Sequence, residues 1–115
     1  MSAGRYDIDI EQGSTFALSV TYQDTDNNAI DLSSGYTAAM QVRESFDSTS
    51  SLLSLSSPGE ITLNQTGPNI EILVGPATTA ALDFDHAVYD LELVQAASTD
   101  KILRGNVKLV REVTK

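Results

Sequence analysis

Three groups of residues in this sequence have the types and spacing that chemistry needs. In the first, Asp24, Asp26 and Asn28 stand at the opening ligand spacing of a calcium-binding EF-hand loop. The pattern then stops, because Ala29 occupies the place where the sharp turn requires glycine and Gly35 the place of the bidentate glutamate. The same letters suit a hairpin tip, where Asp and Asn tolerate left-handed backbone. The second group is Asp83, Asp85, His86 and Asp90 in the segment LDFDHAVYDL. A hydrolytic site would use His86 as general base, oriented by Asp83 or Asp85, with a serine brought in from a distant loop. No G-x-S-x-G elbow or Gly-rich oxyanion loop marks such a serine, so the chain reads as a non-enzyme with a solvated histidine. The third group is the four tyrosines, which could stack on a sugar. Tyr22 and Tyr89 fall on expected core faces, which leaves Tyr6 and Tyr36 for that role.

Composition narrows the chemistry further. The 115 residues contain no cysteine and one histidine, which removes disulfides, thiolate metal sites and multi-histidine centres. No phosphate-cradling loop or dinucleotide fingerprint appears, so no cofactor is expected. Seven basic residues against sixteen acidic give a net charge of −9, the wrong sign for a nucleic-acid partner. The charge is also divided along the chain. Two basic and fifteen acidic residues up to Asp100 give −13, whereas five basic and one acidic from Lys101 onward give +4. No apolar run approaches the ~20 residues of a membrane span, and the opening MSAGRYDIDIEQG lacks the apolar core of a secretory signal. The length suits one domain, expected over residues 1–115.

The elements that would position these residues follow a period of two. Ile8 and Ile10 alternate with acidic residues; Phe16, Leu18, Val20 and Tyr22 alternate with small and polar ones. The pattern returns at Ala38–Val42, Leu53–Leu55, Ile61–Leu63, Ile70–Val74, Tyr89–Leu93 and Leu103–Leu109. About eight strands at this spacing indicate an all-β, immunoglobulin-like antiparallel sandwich. Pro76 to Leu82, with proline first and alanines after it, is expected to be one short helical turn. The serine-rich stretch Ser45–Ser57 is expected to be a mobile loop.

The last two strands can be paired from sequence. With Ala96–Asp100 as the loop, Leu93 falls opposite Leu103, Leu91 opposite Gly105 and Tyr89 opposite Val107, all facing the core. On the outer face Glu92 meets Arg104, Asp90 meets Asn106, and Lys108 lies diagonal to Asp90. The basic strand thus has acidic neighbours to hand, each exposed pair contributing roughly 0.2–1 kcal/mol.

Several blocks resemble a known family. Glu11-Gln12-Gly13 with Phe16, then Asp31-Leu32, Gly35-Tyr36-Thr37-Ala38 and Met40-Gln41-Val42-Arg43, resemble the start of small virion proteins of tailed bacteriophages. Tyr89-Asp90-Leu91-Glu92-Leu93, Leu103 to Val107 and Glu112-Val113-Thr114 resemble the later part. Phe84-Asp85-His86-Ala87 departs from the Pro and Gly that the family often has in that turn. The family also resembles the immunoglobulin-like N-terminal modules of phage baseplate and receptor-binding proteins. The resemblance implies a structural subunit of the virion, in the tail or baseplate, made in the host cytoplasm and oligomeric in the assembled particle. Its partners would be other tail or baseplate proteins, and it brings no catalytic residues. The surfaces expected to dock are the edge strand around Ile8 and Ile10 and the basic strand carrying Arg104, Lys108 and Arg111. The alternative is a sandwich that binds a host glycan or surface protein through its loops.

Overall fold

The structure is a computed structural model and describes residues 4–96 and 98–111. Its centre is a long hairpin, β8 (His86–Gln95) and β9 (Ser98–Val110), in which apolar side chains alternate with polar ones. β4 (Thr37–Arg43) pairs antiparallel with β8, and β5 (Leu53–Ser56) pairs antiparallel with β4. On the far side of β9 lie β1 (Gly4–Arg5) and β2 (Ile8–Glu11), both parallel to it. A second sheet runs β3 (Phe16–Val20), β7 (Ile70–Val74), β6 (Ile61–Leu63). The connection from β7 to β8 carries α1 (Pro76–Ala80), which has proline in its first turn.

The strand order β5-β4-β8-β9 in one sheet and β3-β7-β6 in the other is that of an immunoglobulin-like sandwich of the variable type. The chain is an all-β, immunoglobulin-like β-sandwich with one short helix. Nine strands are present among the described residues; the additional one is the two-residue β1. One hydrophobic cluster draws on both sheets, with Met40, Val42, Tyr89, Leu91 and Val107 from the first and Ile61, Ile70, Ile72 and Val74 from the second.

The hairpin register differs from the sequence expectation. Gln95 faces Ser98, and Ala96 turns the chain at φ 52°, so a tight turn replaces the expected Ala96–Asp100 loop. The partners shift accordingly: Tyr89 faces Gly105, Leu91 faces Leu103, and Asp90 faces Arg104. An irregularity at Leu91/Glu92 places Lys101 opposite Glu92. Ile102 consequently fills the buried position that was expected of Leu103, which is only half-buried.

Other boundaries move for local reasons. β3 ends at Val20 because the backbone of Tyr22 is taken by Asn69 and an isolated bridge joins Gln23 to Ala29. The Ser45–Ser57 stretch includes β5, and its first part is a hydrogen-bonded turn. Arg43 Nη1 donates to the Ser48 carbonyl at 2.7 Å, and Leu52 N donates to the Val42 carbonyl at 2.6 Å. Glu112-Val113-Thr114 and Lys115 lie outside the described residues.

Candidate functional site

The residues expected to dock divide between the core and the outer face of the larger sheet. Ile8 and Ile10 point inward and are 5% and 1% exposed. Their side chains are therefore part of the core, and what β2 leaves outward is Asp9, Glu11 and the backbone edge that pairs with no strand among the described residues. β9 is an inner strand, paired on both sides, so the basic strand can present only its face.

On that face Arg104 sits in register between Arg5 of β1 and Asp90 of β8, and Lys108 between Asp9 of β2 and His86 of β8. Both side chains are on exposed positions, and neither closes an ion pair among the described residues. Arg111 is different. Its guanidinium donates to Asp83 at 3.0 Å and to Asp85 at 3.3 Å. The hydrogen bond to Asp83, foremost, holds the guanidinium above its ordinary pKa. The two carboxylates considered as partners of His86 are thus engaged by Arg111, and His86 stands exposed at the start of β8.

Lys101, the first residue of the basic segment and given no partner by the expected register, bridges Asp90 at 3.4 Å and Glu92. The hydrogen bond to Glu92 is the main reason its amine is held above the usual lysine range. Next to this bridge the sheet face carries a concavity of about 260 Å³, lined by Gln41, Arg43, Phe46, Val88, Glu92 and Lys101. Phe46, 66% exposed, stands at its margin. Arg43 is fixed there by Nη2 donating to Gln41 Oε1 at 2.6 Å.

The remaining chemical groupings resolve as structure. Asp24 Oδ1 accepts the backbone N–H groups of Asp26 at 2.9 Å and Asn28 at 3.0 Å, and Asn27 takes φ 64°. The calcium-like spacing is therefore an Asx turn at a hairpin tip. Tyr6 and Tyr36 line different concavities and make no common platform. Tyr89 is buried, and Tyr22 is packed half-buried against the core with its phenol pushed up, chiefly by desolvation.

The blocks that carry the resemblance build turns and core. Gln12 Nε2 donates to the Leu82 carbonyl at 2.9 Å, and Gly13, at φ 83°, donates its N–H to Thr79 Oγ1 at 3.1 Å. Thr79, fully buried in α1, donates in turn to the Ser14 carbonyl at 2.8 Å, so the turn after β2 is fastened to the helix. Leu32, Met40 and Val42 are core residues, and Asp31, through hydrogen bonds from Ser33, has its carboxyl below the usual range.

Sequence reasoning passed over three structural residues. Asn69, fully buried, donates to the carbonyls of Tyr22 and Ile30, each at 2.8 Å, and accepts the Tyr22 N–H at 2.7 Å. Between β1 and β2 the chain folds inward over Gly105. There the Tyr6 carbonyl accepts the Tyr89 hydroxyl, and Asp7 Oδ1 accepts the Asn106 N–H at 2.9 Å. A Cβ on Gly105 would overlap the Tyr6 carbonyl and lie 2.8 Å from Asp7 Oδ1, so only glycine leaves room for this crossing. Thr79 is the third.

No protein-family model and no curated protein matches the chain. A solved structure similar to it is the crystal structure of the extracellular fragment of novel immune-type receptor 11, including its stalk region, from Ictalurus punctatus. The TM-score is 0.40 and the identity 11%, over 100% of this chain and 89% of that one. It is the strand order of the chain itself that makes it an immunoglobulin-like sandwich.

Proposed function

We propose that this chain is a structural subunit of a tailed-phage particle, placed in the tail or baseplate and acting by protein–protein assembly. The observation that carries the reading is the block-by-block resemblance to small phage virion proteins, which runs from Glu11 to Thr114. The structure is compatible with it: the resembling residues fasten a sandwich, and the surfaces left over are strand edges and a charged sheet face. A charge of −9 keeps newly made copies apart until a complementary neighbour engages them. Arg104 and Lys108, which close no ion pair among the described residues, suit the face of the larger sheet to an acidic neighbour. The direct test is mass spectrometry of purified particles from the producing culture, with immunogold labelling to locate the chain. Gold at a fixed place on the tail or baseplate supports the reading, and absence by both methods removes it. Charge reversal at Arg104, Lys108 and Arg111 together should block incorporation while leaving the fold intact; normal particles would discard the basic face.

A second reading is favoured by the concavity beside Phe46. An exposed aromatic next to Arg43, Gln41 and Glu92 is chemistry suited to a sugar, and a sandwich of this kind could bind a host glycan. Titration with host surface polysaccharide separates the two, because a purely structural subunit shows no saturable binding.

A further inference from the structure

The two sheets are unequal along one side of the sandwich. In the immunoglobulin pattern the first strand of the chain adds to the sheet that contains β3. Here both N-terminal strands go to β9 instead, so β3 pairs only with β7 among the described residues. The effect on packing is visible at once. The inward residues of β7, Ile70, Ile72 and Val74, are sealed, whereas Phe16, Leu18 and Val20 on β3 face the same core and are only half-buried.

Between β3 and β2 runs a groove of about 310 Å³, with Tyr6, Ile8, Phe16 and Leu18 on its walls. Tyr6 is 52% exposed. The charged residues lining the groove are Asp9 and Glu11, both acidic. The other edges are better closed. β2 alternates charges along its length, a common protection against unwanted pairing. β6 has three residues, with Ile61 buried and Leu63 half-buried, and β5 has Leu55 buried and Leu53 half-buried, so each seals at least one inward position. β3, with the sequence FALSV, carries no charge and no proline, and all three of its inward residues are only half-buried.

We propose that the open edge of β3 and the groove beside it accept an extended segment of a partner protein by strand addition. The segment alternates apolar side chains, which cover Phe16 and Leu18, with lysine or arginine, which meet Asp9 and Glu11. Five residues of β3 accept about 17 Å of extended chain. The inference deepens the assembly reading above and rests on it for the identity of the partner as a particle component.

The test is titration of the isotope-labelled protein with a decapeptide alternating lysine and valine, with amide shifts and hydrogen exchange read together. The expected result is saturable binding, with shifts centred on residues 16–20 and slower exchange there. A glutamate–valine decapeptide should bind about tenfold more weakly, and the double variant Asp9→Lys, Glu11→Lys should reverse that preference. Leu18→Lys, which puts a charge into the groove, should abolish binding. Asp9 and Glu11 are exposed, so their double variant keeps the test decisive if Leu18→Lys fails to fold. Absence of saturable binding, equal binding of both peptides, or shifts centred on β5 or β6 would each overturn the proposal. So would sedimentation showing that copies of this chain pair through β3. If the chain is found in particles but the peptide does not bind, the edge site fails and the assembly reading stands. If the peptide binds and the chain is absent from particles, the site stands and the particle reading fails.

Discussion

Replacing Tyr89 by phenylalanine removes one hydroxyl from the place where the N-terminal strands meet the core. Tyr89 is 1% exposed, and its hydroxyl donates to the carbonyl of Tyr6 above Gly105. The ring is retained, so packing changes little, and the loss is that of a carbonyl left without its donor. A buried acceptor in that state costs about 1–3 kcal/mol. The same site gives a pH signature. Burial, foremost, and then the nearby Asp7 carboxylate push the Tyr89 phenol from 10.0 up to about 12. A raised pKa means that the folded chain holds this proton more tightly than the unfolded one. The associated stability is complete below pH 10 and is lost as pH rises from 10 towards 12, to a total of about 2–3 kcal/mol. Lys101 and Tyr22, also raised, titrate in both proteins and cancel in the difference. Urea unfolding of the wild type and Tyr89→Phe at pH 8 and in steps from pH 10 to 12 measures it. The gap between them should be about 1–3 kcal/mol at pH 8 and close towards zero near pH 12. A gap that stays constant across the alkaline range would refute the assignment of this proton to the Tyr6 clasp.

Gly105→Ala should lower stability by about 3 kcal/mol, because the crossing of Tyr6 and Asp7 leaves no room for a Cβ. Hydrogen exchange at the Tyr6 and Asn106 amides should quicken most, since both donate within that crossing. Asn69→Ala should cost about 2–4 kcal/mol in urea unfolding, through three backbone partners lost in the buried turn. Thr79→Val keeps the shape but strips the Gly13 and Ser14 hydrogen bonds. It should cost about 1–3 kcal/mol by thermal or urea unfolding, and Thr79→Ser should restore most of it.

What could be read from the sequence was what depends on alternation. Ile70, Ile72 and Val74 are inward and sealed because a strand with one buried face leaves that pattern in its letters, and β2, β4 and β8 were legible for the same reason. Register was not. A slip of two residues keeps every side chain on its face, so Tyr89 opposite Gly105 and Tyr89 opposite Val107 satisfy the same pattern. The difference lies in the left-handed backbone of Ala96, which no turn-forming residue announces. Of the docking surface, the exposed positions of Arg104 and Lys108 were legible from strand parity. The Arg111 contacts were missed because Asp83 and Asp85 were weighed with their sequence neighbour His86, not with a strand end brought beside them by folding. Asn69 and Thr79 read as ordinary turn and helix letters, since burial of a polar side chain is a property of tertiary contacts.

The parallel pairing of β1 and β2 with β9 has a mechanical consequence. The chain enters β1 at Gly4, beside Leu103, and leaves β9 after Val110, beside Glu11. Tension between the two ends pulls the paired strands in opposite senses along their own axes. Their hydrogen bonds are then loaded side by side, in shear, rather than opened one after another like a zip. The Tyr6 clasp and the Asp7–Asn106 hydrogen bond lie within the same ladder and share that load. Pull applied at one end therefore reaches the other through this ladder. Single-molecule stretching should show one high-force rupture that Tyr89→Phe weakens, and a gradual low-force extension would count against it.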